Sequence, residues 1–496
     1  MYFNPRGILT LILLVSFFLF LPIFSVFLSA DDFYNIRLIM GNSWTDIAAT
    51  FAFDRNEQFL FYRPLTTQLY YFVLYPLFGL HALGYHIISF LFFVAIVLLV
   101  YVLSLKLTKN KTTALLTAAF YAFSSSNLTR LAWSVQIQEL GFGLFTLSCV
   151  IAWIYYLEKK HAKFLIFSVV FFIFSLMSKE TAVVVPLILG IVTIILIKPL
   201  KKIIKYILPL GLFFILLLPY LYLRFIVMGV STGDHYFTAV SIQSIINTLL
   251  WFVLWAIGLP EELVNLQIFG PGVQLNPEMI RLVQTQMPWV GIGFILFSAF
   301  VLMALAAGFS IKSFRSNDSI KIILFGATWF LVSLVPHLFS PFHKFAYSLT
   351  VPLFATSLLL AFISTVLLTH KRVWTSIVAG GIVISYMLLS WSTIRIEENL
   401  HWVFLRSTMV KRVFNHMDNY KMVEATTLDS VVFVNDISPV NNPYGVSKQL
   451  SVALSDDAFM QLYFNNPTFQ TYYEDTEEIS VEHPRSLLLP SSQFIQ

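Results

Sequence analysis

The sequence contains few charged residues and almost no cysteine. Of its 496 residues, 11% are charged, whereas 58% are apolar and 50 are phenylalanine. A soluble surface needs roughly 25–35% charged side chains, so this composition excludes a soluble enzyme, a disordered chain and a nucleic-acid-binding protein. The single cysteine, Cys149, excludes a disulfide framework and argues against a thiolate metal site.

Long apolar runs are abundant, and they predict an all-α polytopic membrane protein. Crossing a ~30 Å bilayer core takes about 20 residues, and about eleven segments qualify. They form a membrane domain over residues 1–392, with spans at 7–30, 83–105, 112–127, 138–157, 163–178, 181–197, 206–227, 288–309, 320–339, 346–368 and 373–392. Segments 64–80 and 246–268 are also apolar, but the first is short and the second contains Pro260, Glu261 and Glu262. Both are interpreted as interfacial or re-entrant helices.

Basic residues alternate between the ends of these spans. One set of ends holds 16 basic residues and only two acidic ones, Glu158 and Asp318, whereas the opposite ends hold 8 basic and 11 acidic residues. The positive-inside rule places the 16 in the cytoplasm. The sequence therefore predicts a multi-pass cell-membrane protein with a cytoplasmic N-terminus and with residues 393–496 outside the cytoplasm. The 16 residues are Arg6, Lys106, Lys109, Lys111, Lys159, Lys160, Lys163, Lys198, Lys201, Lys202, Lys205, Lys312, Arg315, Lys321, Lys371 and Arg372.

The C-terminal segment, residues 393–496, differs from the rest in composition. It carries 7 basic and 13 acidic residues and has no apolar run long enough to span a membrane. A helix is predicted from about Ile396 to His416, and the stretches Ser430–Asn435 and Thr468–Tyr473 are predicted strands. We expect a small extracytoplasmic α/β domain here.

Ionisable residues concentrate in the first outer loop, residues 31–65, which holds five acids and three arginines. Asp31 and Asp32 directly follow the first span. Carboxylates at this position commonly cap a helix in water. Beside apolar surface, however, a carboxylate has a raised proton affinity and is suited to accept a proton from a hydroxyl group. Asp54 and Glu57 are the next candidates for that base.

Three cations on the same predicted side could contact a phosphate. Arg63 lies between Tyr62 and Pro64, Lys179 precedes Glu180 in a turn between two spans, and Lys344 lies in the turn before residue 346. Lysine binds phosphate as a point charge, and in this interpretation Glu180 holds Lys179 in place. The alternatives are a lipid-headgroup contact for Arg63 and a local ion pair of Lys179 with Glu180.

His337 and His343 could hold a divalent metal ion together with a carboxylate. Two isolated histidines are more commonly interfacial residues, so the sequence leaves a metal cofactor open.

The order and sidedness of these motifs resemble the GT-C superfamily of polytopic glycosyltransferases, in particular the branch with protein O-mannosyltransferases and bacterial lipid A aminoarabinose transferases. The resemblance covers residues 1–392. It rests on four motifs: Asp31-Asp32, Tyr62-Arg63-Pro64-Leu65, Leu80-His81-Ala82-Leu83-Gly84-Tyr85-His86 and Ser178-Lys179-Glu180-Thr181-Ala182.

The resemblance implies a sugar donor carried on a polyprenyl phosphate and a hydroxyl acceptor in the cell envelope, with Asp31 or Asp32 as the base. Members often have an Arg-Tyr pair near the donor phosphate, where this chain has His343-Lys344-Phe345-Ala346-Tyr347, so Lys344 would supply the charge. The implied partners are the lipid-linked sugar, its acceptor and membrane lipids, with no nucleic acid. The alternatives are a transporter or lipid flippase, which would favour ionisable groups near the bilayer midplane, and a non-catalytic scaffold.

Overall fold

The computed structural model describes residues 4–52, 61–229, 241–266, 277–370, 372–424, 428–436, 445–476 and 486–495. Asp54, Glu57 and Lys371 lie outside these ranges. The described chain is mainly helical up to residue 424, and a small sheet follows. The helices before the sheet are α1 Pro5–Leu19, α2 Asp31–Ile39, α3 Trp44–Ala49, α4 Tyr70–Phe78, α5 Ala82–Thr108, α6 Lys111–Phe123, α7 Asn127–Ala132, α8 Ile137–Lys159, α9 Ala162–Leu176, α10 Val185–Leu196, α11 Ile204–Tyr222, α12 Ile242–Ala256, α13 Pro277–Thr285, α14 Pro288–Ser310, α15 Asn317–Leu338, α16 Pro352–Thr369, α17 Val373–Leu400 and α18 Trp402–Glu424.

Seven helices among the described residues are long and apolar enough to cross a membrane. They correspond to seven predicted spans and occupy 82–108, 134–159, 201–227, 288–308, 317–338, 352–369 and 373–418. The other four predicted spans contain shorter helices. A 15-residue helix such as α1 is about 22 Å long at 1.5 Å per residue, which is less than the bilayer core. The multi-pass membrane architecture is thus supported, and the count of about eleven is not confirmed.

Local sequence explains where two of these short helices end. Pro22 follows α1, and the chain continues as a 3-10 turn over Leu21–Ser25 because proline cannot extend an α-helix through its missing N–H. The helix α6 ends before Ser124, and Asn127 Nδ2 donates to the Tyr121 carbonyl (2.7 Å) beyond that end. A proline after α1 and a polar side chain after α6 therefore accompany the ends of these helices before either reaches 18 residues.

The C-terminal part contains a small parallel sheet, and two of its three strands lie at the predicted positions. Strand β1 (Ser430–Val434) lies between β2 (Gln470–Tyr473) and β3 (Ser486–Pro490) and pairs in parallel with both. The helices α19 (Ser447–Leu454), α20 (Ala458–Phe464) and α21 (Ser492–Ile495) complete this part. The helix predicted from Ile396 is divided at His401, between α17 and α18. Since α17 runs from 373 to 400, the predicted domain boundary at residue 392 falls inside a helix.

Segment 64–80 forms a π-helical turn, Pro64–Leu69, followed by α4. Glycine lets this turn approach α8 closely. A Cβ on Gly141 would lie 2.7 Å from Thr66 Cγ2 and 3.1 Å from Ser178 Oγ. Thr66 Oγ1 donates to the Ser178 carbonyl (2.9 Å). The three segments therefore meet at one point, next to Arg63 and Lys179.

The C-terminal part packs against the segment that carries Asp31 and Asp32. The rings of Phe33 and Phe459 lie 5.1 Å apart, and the Ala30 N–H donates to the Ala453 carbonyl (2.8 Å). Ala30 has a φ of +52°, a region that L-residues rarely adopt. The strained residue directly before Asp31 is thus hydrogen-bonded by α19.

Candidate functional site

Asp31 and Asp32 are the first two residues of α2 and have different surroundings. Asp32 is buried; its Oδ2 accepts from the Ser29 N–H (3.0 Å) and its Oδ1 from the Tyr71 hydroxyl (2.7 Å). Burial raises the pKa of the Asp32 carboxyl to about 7, against the opposing effect of these hydrogen bonds. Asp32 is a well-anchored carboxyl with no direct access to solvent.

Asp31, in contrast, is exposed to solvent, and its carboxylate accepts no hydrogen bond from any residue in the described ranges. The protein nevertheless surrounds it closely enough for desolvation to raise the pKa of the Asp31 carboxyl, while the positive charges of Arg406 and Arg63 oppose that rise. Asp31 is thus an exposed carboxylate within electrostatic reach of two guanidinium groups. We use the name Asp31 recess for Asp31, Arg63, Arg406 and Trp402, whose ring Arg406 covers.

Arg63 reaches the recess from the residue before the π-helical turn. Its Nε and Nη2 donate to the two carboxylate oxygens of Glu180 at 2.8 and 2.6 Å, and its Nη1 donates to Gln138. The Leu65 N–H donates to the Met177 carbonyl (3.3 Å), which brings this segment beside the turn that holds Glu180. Arg63 is therefore fixed by a bidentate ion pair, the geometry for which guanidinium is best suited.

Lys179 is buried and pairs with Glu139 at the start of α8, with Nζ 2.5 Å from Oε1. Its ammonium lies 5.2 Å from the ring centre of Tyr347. The ion pair considered between Lys179 and Glu180 is thus wrong, because each residue pairs with a partner from another segment. Adjacent side chains in the extended Lys179 backbone diverge, and longer-range packing decides their partners.

The side chains of the turn before α16 contact two different regions, one around Lys179 and the other on α12. Tyr347 stacks on Phe345 with ring centres 5.0 Å apart and contacts Lys179. Burial, followed by the charge of Lys179, lowers the pKa of His343 to about 4. Lys344 Nζ donates to Asn247 Oδ1 on α12 (3.3 Å), and burial lowers the pKa of its ammonium to about 8. His343 and Tyr347 thus lie near Lys179, whereas the amine of Lys344 points to α12.

Tyr62 has a structural contact in the same region. Its hydroxyl donates to the Phe51 carbonyl (3.0 Å), and its ring lies 6.3 Å from that of Tyr220. Tyr62 therefore joins the segment after α3 to α11 and places the neighbouring Arg63. The remaining loop candidates, Asp54 and Glu57, fall outside the residues that the structure describes.

A second buried cluster was not found from the sequence. Glu261 Oε1 lies 3.5 Å from His401 Nε2, and its Oε2 accepts from the Ala346 N–H (2.9 Å). The Glu261 N–H donates to Glu397 Oε1 (2.6 Å). This cluster fixes the junction of α17 and α18 to the turn that carries Tyr347. The spacing of Glu397 and His401, one helical turn apart, was the available indication.

Arg406 and Trp402 were also missed, because they lie in the C-terminal segment that the family resemblance does not cover. Among the described residues, no group of three or more His, Cys, Asp or Glu side chains could hold a metal ion. His337 and His343 therefore have no carboxylate arranged with them as a metal site in the described part of the chain.

Comparison with known proteins adds no assignment, since no family model, no curated protein and no solved structure matches this chain.

Proposed function

We propose that this protein is a membrane glycosyltransferase of the GT-C type, which transfers a sugar from a polyprenyl-phosphate donor to a hydroxyl acceptor. One observation carries the proposal: Asp31 is a solvent-accessible carboxylate of raised pKa, on which the positive charges of Arg63 and Arg406 both act. The recess belongs to a chain whose helices are long and apolar enough to cross a membrane. A lipid-linked anionic donor and a polar acceptor fit this combination of surfaces.

The proposed reaction needs a base and cations. The Asp31 carboxylate takes the proton of the acceptor hydroxyl, whose oxygen attacks the anomeric carbon. The bond from that carbon to the phosphate oxygen breaks, and the electron pair leaves with the polyprenyl phosphate. Attack opposite the leaving group inverts the anomeric centre, and nearby cations stabilise the charge that develops on the phosphate. The raised proton affinity of Asp31 favours the first step.

Asp32 has a different role in this proposal. Its hydrogen bonds to Ser29 and Tyr71 fix the start of α2, so it holds Asp31 in position. Arg63 and Lys179 are already paired with Glu180 and Glu139. They supply positive potential to the recess, and a direct contact with phosphate would require them to share or leave those carboxylates.

The proposed orientation follows from the charge distribution in the sequence. We place the N-terminus in the cytoplasm, and the Asp31 recess and residues 393–496 outside it, with about eleven crossings in total. The acceptor would then be a glycan, lipid or protein of the cell envelope. Shorter helices such as α1 and α9 would cross together with the non-helical residues that flank them.

The test is transfer by purified protein in vesicles that contain polyprenyl-phosphate-linked sugars, with the sugar and acceptor varied in a panel. We expect Asp31→Asn to lower the transfer rate by at least about a hundredfold, since a positioned base contributes 10²–10⁴-fold. Asp32→Asn should lower it less. Asp46→Asn is the matched control, because Asp46 is an exposed cap residue of α3.

Three results would contradict this assignment. Near-wild-type transfer by Asp31→Asn would place the base elsewhere. Movement of an unmodified lipid or solute, with no sugar transferred, would favour the transporter or flippase interpretation. If the Asp31→Asn, Asp32→Asn double variant fully replaces the wild-type protein in a deletion strain, the non-catalytic scaffold interpretation would be favoured.

A further inference from the structure

Arg406 lies in the first turns of α18 and makes no hydrogen bond or ion pair with any residue that the structure describes. Its guanidinium carbon lies 4.6 Å from the ring centre of Trp402, one helical turn earlier. The planar guanidinium commonly stacks on aromatic faces in this way, which limits its motion while its N–H donors stay available. Arg406 is half-buried, so these donors are partly shielded from water.

Two contacts hold Arg406 beside Asp31. The neighbouring Ser407 accepts from the Phe27 N–H through its Oγ (2.6 Å). Trp402 contacts Trp133 (4.8 Å between rings), and Trp133 Nε1 donates to the Ser29 carbonyl (3.2 Å). Ser407, which follows Arg406 in the chain, and Trp402, on which Arg406 stacks, are thus both attached to the segment that ends at Asp31.

The charges of Arg406 and Asp31 interact, although the two side chains form no direct ion pair in the described part of the chain. Glu262 is a second carboxylate whose charge acts on Arg406. The contacts of Ser407 and Trp402 hold the start of α18 beside the segment that ends at Asp31. The N–H donors of Arg406 therefore stay unpaired within the described residues, close to a base candidate.

From this geometry we infer that Arg406 binds the phosphate group of the lipid-linked donor, across the Asp31 recess from the base. The inference rests on the proposed function and identifies which cation touches the donor. Arg63 and Lys179 have their donors on Glu180 and Glu139, and Lys344 donates to Asn247. The guanidinium of Arg406 keeps its N–H donors available, and two of them can donate in parallel to two phosphate oxygens.

The binding test compares a polyprenyl monophosphate with the polyprenol of the same chain length. Both are offered to purified protein in vesicles of phosphatidylcholine and phosphatidylglycerol, so that ordinary lipid phosphates are present in excess. We expect wild-type protein to prefer the phosphate, and Arg406→Gln to lose about 10- to 100-fold of that preference, the range for a charge-assisted hydrogen-bonded contact. Binding of the polyprenol should not change.

Two further variants make the result specific. Arg395→Gln is the matched control, because Arg395 is exposed near the end of α17 and pairs with Glu398. It should keep the full preference. Arg406→Lys retains the charge but loses the fork and the stacking, so we expect a smaller loss of preference with normal folding. It serves as the second measurement if Arg406→Gln does not fold.

The outcomes separate the two proposals. Retention of the phosphate preference by Arg406→Gln and Arg406→Lys, in a wild-type background that prefers the phosphate and transfers sugar, would overturn the role of Arg406 alone. A wild-type preference that is present in vesicles of phosphatidylcholine alone and disappears when phosphatidylglycerol is added would assign Arg406 to an ordinary lipid headgroup and would also overturn its role. A wild-type protein with neither preference nor sugar transfer would overturn the proposed function itself.

Discussion

Two adjacent aspartates show how much a single position changes the chemistry of a residue. Asp32 is buried and accepts hydrogen bonds from Ser29 and Tyr71, whereas Asp31 is exposed in its recess. Successive side chains on a helix point about 100° apart, so one carboxylate faces the protein and the other faces the recess. This difference favours Asp31 over Asp32 as the base of the proposed reaction.

The buried carboxyl of Asp32 predicts a pH dependence of stability. Its pKa is raised from the usual value near 4 to about 7 in the folded protein. The folded state therefore holds a proton that the unfolded state releases, and this stabilisation is present at low pH and is lost as the pH rises toward 7. Asp32→Asn cannot titrate, so its stability relative to wild type should improve by about 1 kcal/mol for each pH unit between 5 and 7.

Thermal unfolding in detergent at pH 5, 6, 7 and 8 measures this effect. The difference in stability between Asp32→Asn and wild type should stop changing with pH above the pKa of Asp32. Asp46→Asn should show a constant difference over the same range, since the hydrogen bonds from Ser43 lower the pKa of Asp46 and keep it ionised there. A constant difference for Asp32→Asn would show that its carboxyl is ionised throughout.

Among the helices, α8 organises the candidate site. Its first turn supplies Gln138 to Arg63 and Glu139 to Lys179. Gly141 and Gly143 follow on the same helix and let other segments approach it closely. A Cβ on Gly143 would lie 2.3 Å from Thr350 Cγ2, just as one on Gly141 would meet Thr66. The glycines thus set the distances between the three segments that carry the cations.

This close packing predicts the effect of a single methyl group. Gly141→Ala would place its Cβ 2.7 Å from Thr66 Cγ2, and overpacking of this kind typically costs about 1–3 kcal/mol. Thr66→Ser removes that methyl and keeps the hydroxyl that donates to Ser178. We therefore expect Gly141→Ala to lower the thermal unfolding midpoint, and the double variant to recover much of the loss.

Gly380→Ala is the control, since nothing lies within 4 Å of a Cβ there. Alanine is the better helix former, so this variant should be neutral or slightly more stable. An equal loss from Gly141→Ala and Gly380→Ala, or no recovery with Thr66→Ser, would show that the contact of α8 with the π-helical turn does not limit stability.

At the scale of the whole molecule, charge predicts the orientation. The 16 basic residues at one set of helix ends have two acidic residues among them, and the positive-inside rule assigns that side to the cytoplasm. A reporter that is active only in the cytoplasm should be silent when fused after Gln496. The same reporter fused after His161, beside a basic cluster, should be active. Activity of the fusion after Gln496 would reverse the proposed orientation of the Asp31 recess.

The sequence by itself determined the membrane class of the protein, most helical segments and the two strands of the C-terminal part that it predicted. These features follow from composition and from short-range periodicity. Hydropathy did not determine how many segments cross, because helices such as α1 and α6 end early at Pro22 and Ser124. The break at His401 also escaped sequence analysis, since its partner Glu261 lies in a distant segment.

Only the tertiary structure decided which charges meet. Arg63 and Glu180 are 117 residues apart, and Lys179 pairs with Glu139 rather than with its neighbour. Arg406 belongs to the C-terminal segment, yet its charge acts on Asp31, which directly follows the first predicted span. Residue types and their order indicate that charged groups gather at one side of a membrane. Their pairing depends on how helices pack, because electrostatic contacts act over a few ångströms in space and carry no information about separation along the chain.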